Sequence, residues 1–336
     1  MQAIRYAKAK TAMSVVRMWV GSLYPNPQWI EKTPPTKTIE IPATRVKKYK
    51  IILNIYEPAG AKKHTPGGPV LINWHGSLFV FNTFWGSTAA YCRRMADDLG
   101  IIVIDASYPQ APEYPYPQGL HTAVDVINYV CSDPYFGNPS VLAVSGFSSG
   151  GNVALNMASS ELAPALGLSK ENQAKIKACA VSAALTAFHV DNKQKDPNDD
   201  GLPDGVAGLP IGRPALEIFT DVYTLQYFPR TTPNLSPSLA DPKSYSQANL
   251  AFVTGSHDPY RFEGLAMHEA LVQAGVNSTH YRAEGVGHAF ELQGGDDQVA
   301  WGNDSSTDSP LAKARLEGYA TMRKVVGEGV GKPYTA

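Results

Sequence analysis

Short apolar runs alternate with amphipathic stretches along most of this chain. Runs near residues 69–74, 101–105, 140–145, 176–183, 249–254 and 278–283 read as strands, and segments near 86–99, 117–131, 151–160, 260–274 and 310–327 carry helical spacing. That alternation predicts an α/β fold with a mostly parallel central sheet and helices on both faces. Ahead of it, a Pro-rich connector (Pro34, Pro35, Pro42) leads into β-rich residues 44–57, which end at Pro58 and Gly60. No fixed-period repeat is visible.

Two segments break the rhythm. Met13, Val16, Val20 and Leu23 recur at three- and four-residue intervals, the pattern of a helix packed by one face. Its apolar stretch is interrupted by Arg17, is too short to span a bilayer and lacks a signal-peptide cleavage site, so docking on the protein itself is expected. The alternative is a membrane-surface helix with Lys8, Lys10 and Arg17 at the headgroups. Between about 187 and 243 lies a polar loop, a helix-like piece around Arg213 to Phe228, and a second Pro-rich loop. An insertion of that length between core strands reads as a lid. The expected organisation is therefore an N-terminal cap helix and connector (1–43), core (44–186), cap insertion (187–243) and core again (244–336).

Composition narrows the function. Lys and Arg total 29 against 30 Asp and Glu, so there is no bulk positive field to attract nucleic acid. Three widely spaced cysteines, Cys92, Cys131 and Cys179, suit neither a disulfide framework nor a metal cluster; they read as buried apolar residues in a reducing, cytoplasmic setting. Asp196, Asn198, Asp200, Gly201 and Asp204 match the spacing of a calcium loop, but Ala207 stands where the bidentate Glu belongs. The loop is read as a solvated acidic part of the cap, and neither a metal nor an organic cofactor is expected.

The chemistry is concentrated at Gly146-Phe147-Ser148-Ser149-Gly150-Gly151-Asn152, between the apolar run Val141–Val144 and a helix-like stretch. This is the strand, turn and helix context of a nucleophile elbow, where Gly146 and Gly150 leave room for a strained serine. In an open parallel sheet the partners of Ser148 belong just after other strands. Asp258 follows Leu250–Val253 through the expected turn Thr254-Gly255-Ser256-His257, and His288 lies in the Gly285–Phe290 loop. Asp191 is a rival acid, Asp105 reads as structural, and His64, His268 and His280 are less well placed. After the strand Val70–Asn73, the loop from His75 and Gly76 through Phe79 can aim backbone N–H groups at a substrate carbonyl oxygen, completed by the N–H of Ser149. His75 is expected to brace that loop.

With these segments in hand, the chain resembles the hormone-sensitive lipase-like esterases, or bacterial family IV, of the α/β-hydrolase superfamily. The family's H-G-G-G, Y-R-L-A-P-E, G-D-S-A-G-G-N, D-P-L-R-D-E-G and H-G-F appear here as His75–Leu78, Tyr108–Glu113, Gly146–Asn152, Asp258–Gly264 and His288–Phe290. The resemblance implies a Ser148-His288-Asp258 triad that cleaves carboxylic esters of small to medium size through an acyl-enzyme. It also implies an oxyanion hole from Ser77, Leu78 and Ser149, and makes a homodimer plausible. Ser77 and Leu78 replace two glycines of the pattern, Phe147 an acidic residue and Pro109 a basic one. The loss of charge points to an uncharged substrate, with Phe79, Phe81, Phe84, Trp85 and Phe147, and Tyr223 from the cap, around it. Lactone opening, deacetylation or cyclisation on the same fold, and a non-catalytic ligand receptor, are the alternatives.

Overall fold

The alternating elements close into one eight-stranded sheet. The computed structural model describes residues 2–23, 29–60, 65–191, 213–225, 228–292 and 310–333. The calcium-like loop, His64 and much of the cap insertion lie outside the described residues. The strands are β1 Lys37–Pro42, β2 Lys50–Tyr56, β3 Val70–Trp74, β4 Ile102–Ala106, β5 Leu142–Phe147, β6 Ile176–Ser182, β7 Asn249–His257 and β8 Ser278–Gly287. Their spatial order is β1-β2-β4-β3-β5-β6-β7-β8. Strand β2 runs antiparallel to both of its neighbours, and all other pairs are parallel. The helices are α1 Gln2–Leu23, α2 Trp29–Lys32, α3 Ala89–Leu99, α4 Gln118–Ser132, α5 Ser149–Ala158, α6 Leu162–Ala165, α7 Lys170–Ala174, α8 Arg213–Thr224, α9 Arg261–Gln273 and α10 Pro310–Gly329.

Every residue of β3, β4 and β5 is buried, as strands covered on both faces must be. Successive side chains point to opposite faces and feed two cores. Ile72, Ile104 and Val144 join one with Leu120 and Val124 of α4, whereas Leu71, Val103 and Ala143 join the other with Met95 of α3 and Met322 of α10.

Two differences from the sequence reading matter. Residues 37–42, read as connector, form the edge strand β1; only Ile39 and Ile41 are apolar there, and Pro42 is tolerated because it closes an edge. Strand β7 does not turn at Thr254 but runs to His257, pairing with a β8 that extends to Gly287. The register is irregular between Gly255 and His257, and a side chain at Gly255 would collide with the Val286 carbonyl oxygen at 2.6 Å. Because His257 pairs with Gly287, the next residues of both strands, Asp258 and His288, leave the sheet side by side.

Helix α1 docks through Met13 and Val20, both fully buried. Its Arg17, placed at headgroups in the membrane alternative, instead turns inward. The guanidinium donates from Nε to the Val80 carbonyl at 2.7 Å, pairs with Glu113 at 2.9 Å and reaches the Ala111 carbonyl. Val15, Met18 and Trp19 face outward. Among the described residues no helix is long and apolar enough to cross a membrane. Helix α8 buries Leu216, Phe219, Val222 and Tyr223, and the Tyr116 N–H donates to the Tyr223 carbonyl at 2.9 Å.

Candidate active site

At the end of β5 the backbone of Ser148 takes φ 52° and ψ −118°, and α5 begins at the next residue. Such a conformation is costly for a residue with a side chain and persists only where its surroundings enforce it. Here they do: a Cβ at Gly146 would run into the Gly150 carbonyl, and one at Gly150 into that of Trp74, so elbow and β3 close on each other only with glycine at both. Asn152 locks the turn from below by donating to the carbonyls of Leu185 at 2.8 Å and Leu235 at 3.1 Å.

Three side chains then meet in line. His288 Nε2 lies 2.9 Å from Ser148 Oγ, and His288 Nδ1 lies 3.0 Å from Asp258 Oδ1. All three are buried. Asp258 Oδ1 also accepts the Tyr260 N–H at 2.8 Å, and the Asp258 carbonyl accepts from Arg261 backbone and guanidinium. Glu263 Oε1 accepts the N–H of Thr186 at 2.6 Å, fastening the chain that leaves β6 to the helix that follows Asp258. Burial pushes the His288 pKa down, but the charge and hydrogen bond of Asp258, with smaller contributions from Glu291 and Glu263, outweigh it, and the net shift is upward.

His75 is a different kind of histidine. Burial drives its pKa to about 4, so the ring is neutral, and its Nδ1–H donates to the Gly76 carbonyl at 2.9 Å. The ring stacks on Tyr108 at 4.9 Å and meets Trp85 edge-on at 5.4 Å, which braces the loop. Asp105 sits beneath the site, its Oδ1 accepting from Asn73 Nδ2 and Thr88 Oγ1, both at 2.9 Å. His280 bonds to Thr254 and His268 to Ser278, both away from Ser148.

The loop after β3, expected to supply the oxyanion hole, departs from the sequence reading. Leu78 and Phe79 both take positive φ, 50° and 61°, so the strain of replacing glycine is present. No acceptor for the N–H of Leu78 or Ser149 occurs among the described residues, and both remain open for a ligand oxygen. The Ser77 N–H, expected as a further donor, is instead given to Ser149 Oγ at 2.8 Å. Tyr108 completes a cluster of hydroxyls, donating to the His75 carbonyl at 2.8 Å and lying 3.0 Å from Ser149 Oγ.

Next to Ser148 lies a cavity of about 30 Å³, lined by the oxyanion loop, Phe81, Phe84, Phe147 and residues that follow His288. That is room for roughly two water molecules. A second, smaller hollow under α8 is lined by Leu185, Phe188, Leu216, Phe219 and Tyr260, and Leu78 borders both. Of the expected pocket residues, Phe81, Phe84 and Phe147 line the first cavity, whereas Trp85 packs against His75 instead. Phe79 and Tyr223 line neither: they stack face to face, ring centroids 4.0 Å apart and planes within 3°, and join α8 to the loop. Ser87, Thr88 and Glu291 also border the cavity and were not anticipated. For Glu291 a signal existed: it is the one charge in the apolar run after His288.

A family model described as alpha/beta hydrolase fold matches residues 71–292. Among curated proteins, a tuliposide A-converting enzyme of Tulipa gesneriana is 29% identical over 283 residues, covering 79% of this chain and 67% of that protein. The gibberellin receptor GID1B of Arabidopsis thaliana is 31% identical over 129 residues, which is 32% of this chain and about a third of the receptor's length (36%). Among solved structures, an esterase of Pyrobaculum calidifontis superposes with a TM-score of 0.71 at 20% identity, covering 94% of this chain and 92% of that one, a likeness of fold.

Proposed function

The chain belongs to the alpha/beta hydrolase fold family, and from that premise we propose that it is a serine-dependent carboxylic ester hydrolase. One observation carries the reading: Ser148 Oγ, the His288 imidazole and the Asp258 carboxylate form a continuous hydrogen-bonded line of 2.9 and 3.0 Å beside two open backbone N–H donors. A binding protein has no need of such a proton relay.

In this reading His288 Nε2 takes the Ser148 proton as Oγ attacks the acyl carbon, and Asp258 holds the ring's tautomer and stabilises the imidazolium. The N–H groups of Leu78 and Ser149 receive the oxyanion. His288 then protonates the departing alcohol and activates the water that releases the acid. The apolar lining and small volume of the cavity support an uncharged substrate with a compact group beside Ser148. All three cysteines are buried and unpaired, which supports a reducing, cytoplasmic setting.

The test is hydrolysis of p-nitrophenyl acetate together with labelling by a fluorophosphonate probe. Ser148→Ala should abolish labelling and lower kcat on the order of a millionfold. Turnover that survives the substitution would take Ser148 out of the reaction.

A further inference from the structure

The wall of the catalytic cavity contains a carboxyl group that the acyl-transfer chemistry does not use. Glu291 is 3% exposed and lies in the short 3-10 turn Phe290–Leu292 that begins two residues after His288. It lines the same cavity as Ser148 and His288, together with Phe81, Phe84 and Phe147. Its Oε2 has no hydrogen-bond partner among the described residues. A buried polar atom without a partner is costly, and one that faces a ligand cavity is satisfied when the ligand supplies the partner. We propose that Glu291 is a specificity-determining residue, and that the ester this site takes places a hydroxyl group against Glu291 Oε2.

A hydroxyl fits better than a cation. Burial, partly offset by a backbone hydrogen bond, His288 and Arg315, holds the Glu291 pKa at about 7, and the nearby Asp258 charge adds to the rise. Near neutrality the acid and the carboxylate are therefore both well populated; the acid donates one hydrogen bond and accepts another, the carboxylate accepts, and a hydroxyl pairs with either form. An ammonium would have to shed its water in an apolar cavity where, among the described residues, the Glu291 carboxyl is the one acidic group in the lining, and it would need that carboxyl ionised. The hydroxyl can belong to the acyl or to the alcohol half of the ester, because the cavity borders both Ser148 and His288.

This inference rests on the ester-hydrolase reading, and the experiment separates the two. For the acyl half, kcat/KM is measured on p-nitrophenyl butyrate and p-nitrophenyl 3-hydroxybutyrate; for the alcohol half, on propyl butyrate and 2-hydroxyethyl butyrate. The wild-type protein should prefer the hydroxylated member of one pair by about tenfold or more, since a site built to pair a hydroxyl discriminates strongly against its absence. Glu291→Gln, which keeps a donor and an acceptor, should retain most of that ratio, and Glu291→Met should bring it to about one. Each ratio is taken within one variant, so a partial loss of folded protein cancels. Turnover without discrimination in either pair, or a ratio that survives Glu291→Met, overturns the assignment while leaving the esterase reading intact. A preference for an ammonium-bearing ester over the hydroxylated one overturns the hydroxyl. Absence of all ester turnover overturns both readings.

Discussion

The backbone N–H of Ser77 is held by the side chain of Ser149 at 2.8 Å, so a hydroxyl one residue after Ser148 occupies a donor that the family resemblance assigns to the oxyanion hole. Ser149 thereby offers its own N–H while competing, through its Oγ, for another. Ser149→Ala releases the Ser77 N–H without changing the elbow backbone. Losing one oxyanion donor costs on the order of 10²- to 10³-fold in rate; regaining one that is imperfectly aimed should raise kcat on p-nitrophenyl acetate by roughly three- to tenfold. A kcat that falls or stays level in a folded variant shows that the Ser77 N–H is out of reach of the substrate oxygen.

In the proposed mechanism His288 serves as a base only while it is neutral. Burial lowers its pKa, and Asp258 more than restores it, above the ordinary 6.5. Activity should therefore climb with pH through a midpoint above 6.5 in the wild type. In Asp258→Asn the main upward influence is gone, burial dominates, and the acid limb should move to lower pH while kcat falls on the order of 10⁴-fold. A limb that moves up, or does not move, means that another group controls the profile.

Much of this site is legible in the sequence because its parts are local. The elbow's glycines, the order of Ser148, Asp258 and His288, and the buried strands β3 to β6 each follow from a few neighbouring residues. What escapes the sequence depends on distance across the fold. Residues 254–257 read as a turn by composition, yet the pairing with β8 keeps them in a strand. Arg17 reads only as an interruption of an apolar stretch until three acceptors 63 to 96 residues away are found around it. Phe79 and Tyr223 look like pocket aromatics, but they stack on each other, and the space beside Ser148 is left to Phe81, Phe84, Phe147 and Glu291.

Asp105 yields a stability prediction. Burial raises its pKa from 3.8 to about 7 against the opposing hydrogen bonds of Asn73 and Thr88, and its Oδ2 has no partner among the described residues. A carboxyl whose folded-state pKa is raised contributes stability below its unfolded pKa, and that contribution is lost as pH climbs through the folded value. The protein should therefore weaken between about pH 4 and pH 7 by an amount on the order of a few kcal/mol from this group. Asp105→Asn keeps the accepting oxygen and removes the charge. Its melting temperature should exceed the wild type's at pH 8, and the gap should shrink at pH 5. An equal difference at the two pH values would falsify the assignment of a titrating carboxyl here.

Arg17 gives the last prediction, because it joins α1 to both sides of the oxyanion loop. Its Nε–H reaches Val80, its ion pair reaches Glu113 beyond the Ala111 carbonyl, and the Ala111 N–H in turn donates to Phe79 at 2.8 Å. Replacing Arg17 by Met preserves the aliphatic stem but strips the Val80 and Ala111 carbonyls of their charged donor, a loss of about 3 kcal/mol at most for each hydrogen bond of this type. Because Met13 and Val20 are the only fully buried apolar side chains of α1 among the described residues, that loss should appear first as undocking of the helix. Chymotrypsin should then cut near Trp19 much faster than in the wild type, and KM for p-nitrophenyl butyrate should rise several-fold as the loop beneath slackens. Arg17→Lys keeps the charge but not the planar fork, and should fall between the two. Cleavage and KM both unchanged in Arg17→Met would mean that the apolar face of α1 suffices to hold it, and that the oxyanion loop keeps its shape without the guanidinium.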